Sequence, residues 1–170
     1  MSAELDQLLS RYDGGHISRR ELLGVLSALV VAAPAAAAAE PAVGAVTQMN
    51  HVTVFVQNVQ KSMDFYQGLF GMPLLTVQDA GMNLKAGAGF LGLFPAPAGQ
   101  SGINHVCFGI ENFDADAVLR KLADRGVKGF IRLRGETKEL YFNDPDNVRV
   151  QLQDVRYIGG TGVQGDRAPR

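Results

Sequence analysis

The tripeptide Asn-His-Val occurs twice in this chain, as Asn50-His51-Val52 and Asn104-His105-Val106, and these two copies hold two of its three histidines. An imidazole can ligate a metal or exchange a proton near neutral pH, although a single histidine in a strand is more often just a packed or surface residue. Two imidazoles at equivalent positions of a repeated unit suggest a site assembled between the copies, and they weigh toward metal binding. A second group of polar side chains follows the turn Asp144-Pro145-Asp146-Asn147, where Arg149, Gln151 and Gln153 alternate with Val148, Val150 and Leu152. Proline presets φ at the second turn position and asparagine tolerates a left-handed backbone, so the turn sets the register of the strand that follows. The alternation then places the three apolar side chains against a helix and the three polar ones on the opposite face.

The elements that must position these residues read as one plan used twice. From Met49, the residues His51, Thr53 and Phe55 alternate with Val52, Val54 and Val56, which predicts a strand with its valine face under a helix and the other three facing a cavity. Val59, Met63, Tyr66 and Phe70 recur at helical spacing behind Asn58 as a cap, and Gly71 ends that helix. Three short strands follow at 74–78, 82–85 and 89–94. After a Pro, Ala and Gly connector at 95–102 the plan restarts, with a strand at 103–110 and a helix from Asp114 carrying Ala115, Val118, Leu119, Leu122 and Ala123 up to Gly126. Strands at 128–133, 139–142 and 148–154 complete the second unit. The fold class is therefore α+β: two βαβββ modules, 47–95 and 103–154, form one domain, an eight-stranded curved half-barrel with helices outside and a ligand-sized concavity inside. Residues 155–170 carry four glycines and little apolar content, and read as a flexible tail.

Composition narrows the function classes. The chain has 170 residues and a formal net charge of -1, and removing residues 1–39 leaves 13 basic against 13 acidic side chains without a basic run. Nucleic acid is thus not an expected partner. The single cysteine, Cys107, rules out an intrachain disulfide and an all-cysteine metal site. It lies two residues after His105 on the same face, where it reads as a small packing side chain that could touch a ligand. At the N-terminus, Arg19-Arg20 leads into an apolar run over 22–39 that ends Ala37-Ala38-Ala39 before Glu40. That stretch resembles a twin-arginine export signal, which implies a protein sent to the bacterial periplasm. The alternatives are a helix of a cytoplasmic protein or an uncleaved anchor.

The leading histidine strand, the helix Ser62-Met63-Asp64-Phe65-Tyr66 before Leu69-Phe70-Gly71-Met72, the second His105 strand and the late Asp-Pro-Asp turn together resemble the vicinal oxygen chelate (VOC) superfamily over about residues 47–154. That superfamily includes glyoxalase I, extradiol dioxygenases, fosfomycin-resistance transferases and bleomycin-binding proteins. The resemblance implies paired βαβββ modules and one divalent metal held from first and last strands, with Fe, Mn, Zn, Ni and Co not distinguished. It assigns His51 and His105 as ligands and puts Gln151 where many members have glutamate. The last strand of the first unit has only Gly, Phe and Leu, so it can supply no side-chain ligand. The implied function is a metal-dependent enzyme, a dioxygenase or a lyase of the glyoxalase type, that chelates adjacent substrate oxygens. The alternative is a metal-free binding protein of the bleomycin-resistance type. Arg149, Gln153, Thr53, Phe55 and Cys107 are the candidates for contact with a small-molecule ligand. A glutamine cannot act as a general base, which leaves Glu139 and Tyr141 on the preceding strand as the candidates for proton transfer. Family members often pair, which leaves a homodimer open.

Overall fold

The computed structural model describes residues 2–32 and 41–168, and the chain divides into two units, 1–40 and 41–170. The first unit contains α1 (Ser2–Asp13) and α2 (Arg19–Ala32). A capping box starts α2: Glu21 N donates to Ser18 Oγ at 3.3 Å, while Ser18 N and Oγ donate to Glu21 Oε2 at 2.8 and 2.7 Å. The arginine pair occupies the first turn, and Ala37-Ala38-Ala39 lies outside the described residues. Among the described residues, no helix is long and apolar enough to cross a membrane.

The second unit runs β1 (Val46–Val56), α3 (Val59–Phe70), β2 (Leu74–Gln78), β3 (Gly81–Ala86), β4 (Gly89–Pro95), β5 (Gly102–Ile110), α4 (Ala115–Ala123), β6 (Gly129–Arg134), β7 (Thr137–Asn143) and β8 (Arg149–Asp154). The eight strands form one sheet in the order β2-β3-β4-β1-β5-β8-β7-β6. Each module lays its last strand parallel beside its first, β4 on β1 and β8 on β5, and the modules join where β1 and β5 pair antiparallel. Parallel neighbours need a crossover, which α3 and α4 begin. The helix starts follow the sequence reading, since the Asn58 side chain accepts from Lys61 N at 2.8 Å and Asp114 Oδ1 accepts from Ala117 N at 3.0 Å. Gly71 closes α3 at φ 63°, a left-handed position that favours glycine.

The two modules are packed unequally. Ala115, Val118 and Leu122 of α4 close over Ile110, Leu140, Val150 and Leu152 to form the apolar core of the second module. No residue of α3 is buried to that degree, and Phe65, Leu69 and Phe70 are exposed. The valine face of β1 is only half-buried, whereas His51 and Thr53 on the other face are buried, the reverse of the ranking expected from polarity. Val148 is exposed ahead of β8 instead of lying under α4.

The reason for that reversal is the segment after β8, which departs from the expectation of a flexible tail. Residues 155–168 fold back over the concave side. Tyr157 is buried, and its carbonyl accepts from Asn50 Nδ2 at 3.0 Å. The Ile158 carbonyl accepts from Thr76 Oγ1 at 2.9 Å, and the Gly159 carbonyl from Gln78 Nε2. Thr137 Oγ1 donates to the Gly162 carbonyl at 2.5 Å, so the strap is tied to both modules. Polar side chains on the inner strand faces thereby satisfy a backbone that has few side chains of its own to bury. Truncation Leu122→Ala, in the α4 core, should cost about 2–5 kcal/mol in urea unfolding. Leu69→Ala, on a residue 61% exposed, should cost about 0.5 kcal/mol or less.

Candidate metal and ligand site

The joint between β1 and β5 brings the two Asn-His-Val copies together. Thr53 pairs with His105 and His51 with Cys107, so the imidazoles are diagonal neighbours on the central strand pair. The ladder slips one residue between Met49 and His51 on β1, and again between His105 and Ile103 on β5. Asn50 and Asn104 are the extra residues of these two β-bulges. A bulge re-aims side chains next to a site, and here it lets each asparagine turn to the same side as the histidine after it. Gly89 lies against the Asn50 carbonyl, where a Cβ would collide with backbone.

The result is an amide oxygen set against each Nδ1. His51 Nδ1 is 2.8 Å from Asn50 Oδ1, and His105 Nδ1 is 2.7 Å from Asn104 Oδ1. An amide oxygen only accepts, so each Nδ1 carries the hydrogen and each Nε2 presents a lone pair. The Asn50 amide cannot flip cheaply, because its Nδ2 lies 3.0 Å from the Tyr157 carbonyl and 3.4–3.5 Å from those of Val155 and Asp154. The two Nε2 atoms face each other at 3.1 Å. Burial first, and the neighbouring imidazole second, push His51 well below the usual histidine range. Burial likewise brings His105 down to about 4, opposed in part by the Gln151 amide acting as an acceptor toward it. Two lone pairs at this spacing without a proton between them fit a cation. Two nitrogens each ~2.1 Å from one ion, at about a right angle, stand roughly 3 Å apart. The Gln151 amide lies close enough to raise both imidazoles against the effect of burial, which makes it the further side chain that could donate to a cation there. Among the described residues no group of three His, Cys, Asp or Glu is placed to hold a metal ion, so the donors gathered here are two imidazoles and the Gln151 amide.

These residues open on a cavity of about 190 Å³ that His51, Thr53, Phe55, His105, Arg149 and Gln151 line together, as does the pair Glu139 and Tyr141. Two expected members are elsewhere. Gln153 is buried with its Nε2 on the Lys138 carbonyl at 3.1 Å, which holds it in the sheet instead of the cavity. Cys107 is fully buried outside the lining, and burial pushes its thiol up, so it packs and does not react. Glu139 is not a free base. It accepts from Arg132 Nε at 2.7 Å, Arg134 Nε at 3.0 Å, Tyr157 Oη at 2.7 Å and Tyr141 Oη at 3.1 Å. Burial opposes its ionisation, but Arg132, Tyr157 and Arg134 outweigh that and hold the carboxyl below its ordinary value. Burial, with Glu139 beside it, pushes the Tyr141 hydroxyl up.

Sequence reading missed Phe90, Tyr157, Asn83 and Arg132. Phe90, in the last strand of the first module, stacks on His51 at 4.3 Å, so the strand that supplies no ligand supplies a wall. The alternation of β4 and β6 could have pointed to Phe90 and Arg132. Nothing local in the tail could have pointed to Tyr157.

The family model for the glyoxalase/bleomycin resistance protein/dioxygenase superfamily matches residues 48–152, and the chain belongs to that family. Among curated proteins it is similar to the glutathione transferase FosA of Serratia marcescens, 27% identical over 110 residues that span 61% of this chain and 78% of the relative. It is also similar to the metallothiol transferase FosB of Staphylococcus saprophyticus, 27% identical over 130 residues, 72% of this chain and 82% of the relative. Methylmalonyl-CoA epimerase from Mycobacterium tuberculosis superposes with a TM-score of 0.54 at 19% identity, covering 67% of this chain and 91% of that one. Homoprotocatechuate 2,3-dioxygenase from Arthrobacter globiformis superposes with a TM-score of 0.56 at 15% identity, covering 67% and 37%. At these identities the solved structures share the fold alone.

In the metal-free chain the depressed histidines make stability depend on pH. The unfolded imidazole titrates near 6.5 and folded His105 near 4, so between those values the unfolded state binds more protons. Stability should be full above about pH 6.5 and fall as pH drops through the window toward 4. Urea midpoints at pH 7.5 and 5 check this, and His105→Gln should flatten the difference.

Proposed function

We propose that this protein is a divalent-metal-dependent enzyme of its superfamily, with His51, His105 and Gln151 holding the ion and adjacent oxygens of a small molecule completing its coordination. The observation that carries the reading is the facing pair of Nε2 lone pairs, 3.1 Å apart, with both tautomers set by asparagine. A bound divalent ion would supply Lewis-acid polarisation of the ligand oxygens. Phe90 and Tyr157 pack on the His51 ring and fix its plane. The strap and the aromatic walls narrow solvent access, and Arg149 stands at the rim. Glutamine at position 151 and a Glu139 saturated by two arginines and two hydroxyls leave no free carboxylate in the lining. That favours an oxygenase-like reaction over glyoxalase-type isomerisation, which needs a carboxylate to carry protons.

Protein purified without added ions should contain or take up one equivalent of Fe, Mn, Zn, Ni or Co, measured by elemental analysis and calorimetry, and His51→Ala and His105→Ala should each abolish it. A wild type that neither holds metal nor gains stability from it would leave the metal-free binding module as the reading.

Export belongs to the same proposal. Residues 1–39 act as a twin-arginine signal that delivers the folded domain to the periplasm, a reading supported by Arg19-Arg20 ahead of the apolar run. Arg19→Lys with Arg20→Lys should keep the protein in the cytoplasmic fraction, and unchanged export of that variant would remove the signal reading.

A further inference from the structure

We propose that the ligand of this cavity is a small hydroxylated oxyanion that brings its own negative charge to the centre, received by Arg149 and the amide N–H of Gln151. The inference deepens the metal-site reading and rests on it for the ligand's second contact. Three guanidiniums line the cavity, from Arg132, Arg134 and Arg149, against one carboxylate, Glu139. Two of the three are spent. Arg132 and Arg134 both bind Glu139, and Arg134 also reaches Asp79 at 3.2 Å. The Arg149 side chain has no hydrogen-bond or ion-pair partner among the described residues, and it lines both the inner cavity and the wider groove outside it.

Gln151, two residues along the same face of β8, is 1% exposed, and its Nε2 has no partner. Side chains at i and i+2 of a strand share a face roughly 7 Å apart, so the free guanidinium and the free amide donor flank one space beside His105. Two unspent donors there call for an acceptor, and a charged acceptor answers the guanidinium best. Across the cavity Asn83, fully buried, has an Oδ1 without a partner, which calls for a donor such as a hydroxyl. The inner cavity, about 190 Å³, is smaller than an ordinary drug-sized site and suits a small oxyanion.

Glutamine at 151 sets the preference. A carboxylate there would remove the donor and repel an incoming anion, while holding a divalent ion more firmly. The amide does the opposite: it leaves the ion's charge uncancelled for the ligand to neutralise. Anion affinity and metal affinity should therefore move in opposite directions when residue 151 changes charge, which a merely structural glutamine would not produce.

The test titrates the full chain, metal-free and loaded with cobalt(II), with glycolate and with inorganic phosphate, read by calorimetry and by the cobalt absorption band. Wild type should bind at least one probe; preference for glycolate identifies a carboxylate ligand, and preference for phosphate a phosphate or phosphonate. Arg149→Gln should weaken the anion by about tenfold or more with cobalt retained, and Arg149→Lys should recover part of that loss. Gln151→Glu should weaken the anion while binding cobalt more tightly. Binding of neither probe, anion affinity unchanged in Arg149→Gln, or Gln151→Glu strengthening the anion would each overturn the proposal. Failure to bind cobalt would sink the metal reading instead, and Arg149-dependent anion binding by the metal-free chain would then stand by itself.

Discussion

The antiparallel joint between β1 and β5 is the constraint on which the rest of the site depends. Two bulges in that joint turn Asn50 and Asn104 to the side of their following histidines, and the amide oxygens then decide which ring nitrogen bears hydrogen. A regular ladder would send each asparagine to the opposite face and leave the imidazoles free to choose their tautomer. With the bulges in place both Nε2 lone pairs converge, and burial disfavours relief by protonation. A cation between them would remove the conflict.

The strap after β8 makes the first module's half of this arrangement possible. Its carbonyls at 155 and 157, with that of Asp154 at the end of β8, surround the Asn50 amide, and the Tyr157 ring lies against both His51 and Phe90. His105 has less support, from an Asn104 that is only half-buried and from an edge contact with Tyr141. The repeat is thus symmetric in its backbone and unequal in how its two histidines are held. The same inequality runs through the outer layer, where α4 closes an apolar core and α3 leaves large side chains exposed.

Charge in the cavity is organised around Glu139. One buried carboxylate anchors Arg132 and Arg134 and takes both tyrosine hydroxyls, so its own basicity is used up in holding β6 and β7 to the strap. Such a group is costly to bury unless fully paired, and here it is. With Glu139 paired and Gln151 uncharged, Arg149 is the guanidinium of the lining left without a side-chain partner among the described residues.

Most of the element plan was legible in the sequence. Periodicity and turn residues placed α3 at its observed limits, predicted the Asn58 and Asp114 caps and marked all eight strands to within a few residues, because those signals act between residues close in the chain. The repeated Asn-His-Val also located the cavity, since strand alternation is enough to say that His51, His105, Gln151 and Arg149 share a face. Local pattern could not say that Gln153 would turn to a neighbouring strand's carbonyl, that Cys107 would be walled off, or that Glu139 would be claimed by two arginines. It could not reveal that a glycine-rich tail would pack at all, because the hydrogen bonds that tie it to the strands join residues 18 to 107 positions apart. The sequence by itself determined the elements, the repeat and the donors available. Only the tertiary structure decided which donors are spent on each other and which remain for a ligand, since that outcome depends on burial and pairing between distant segments.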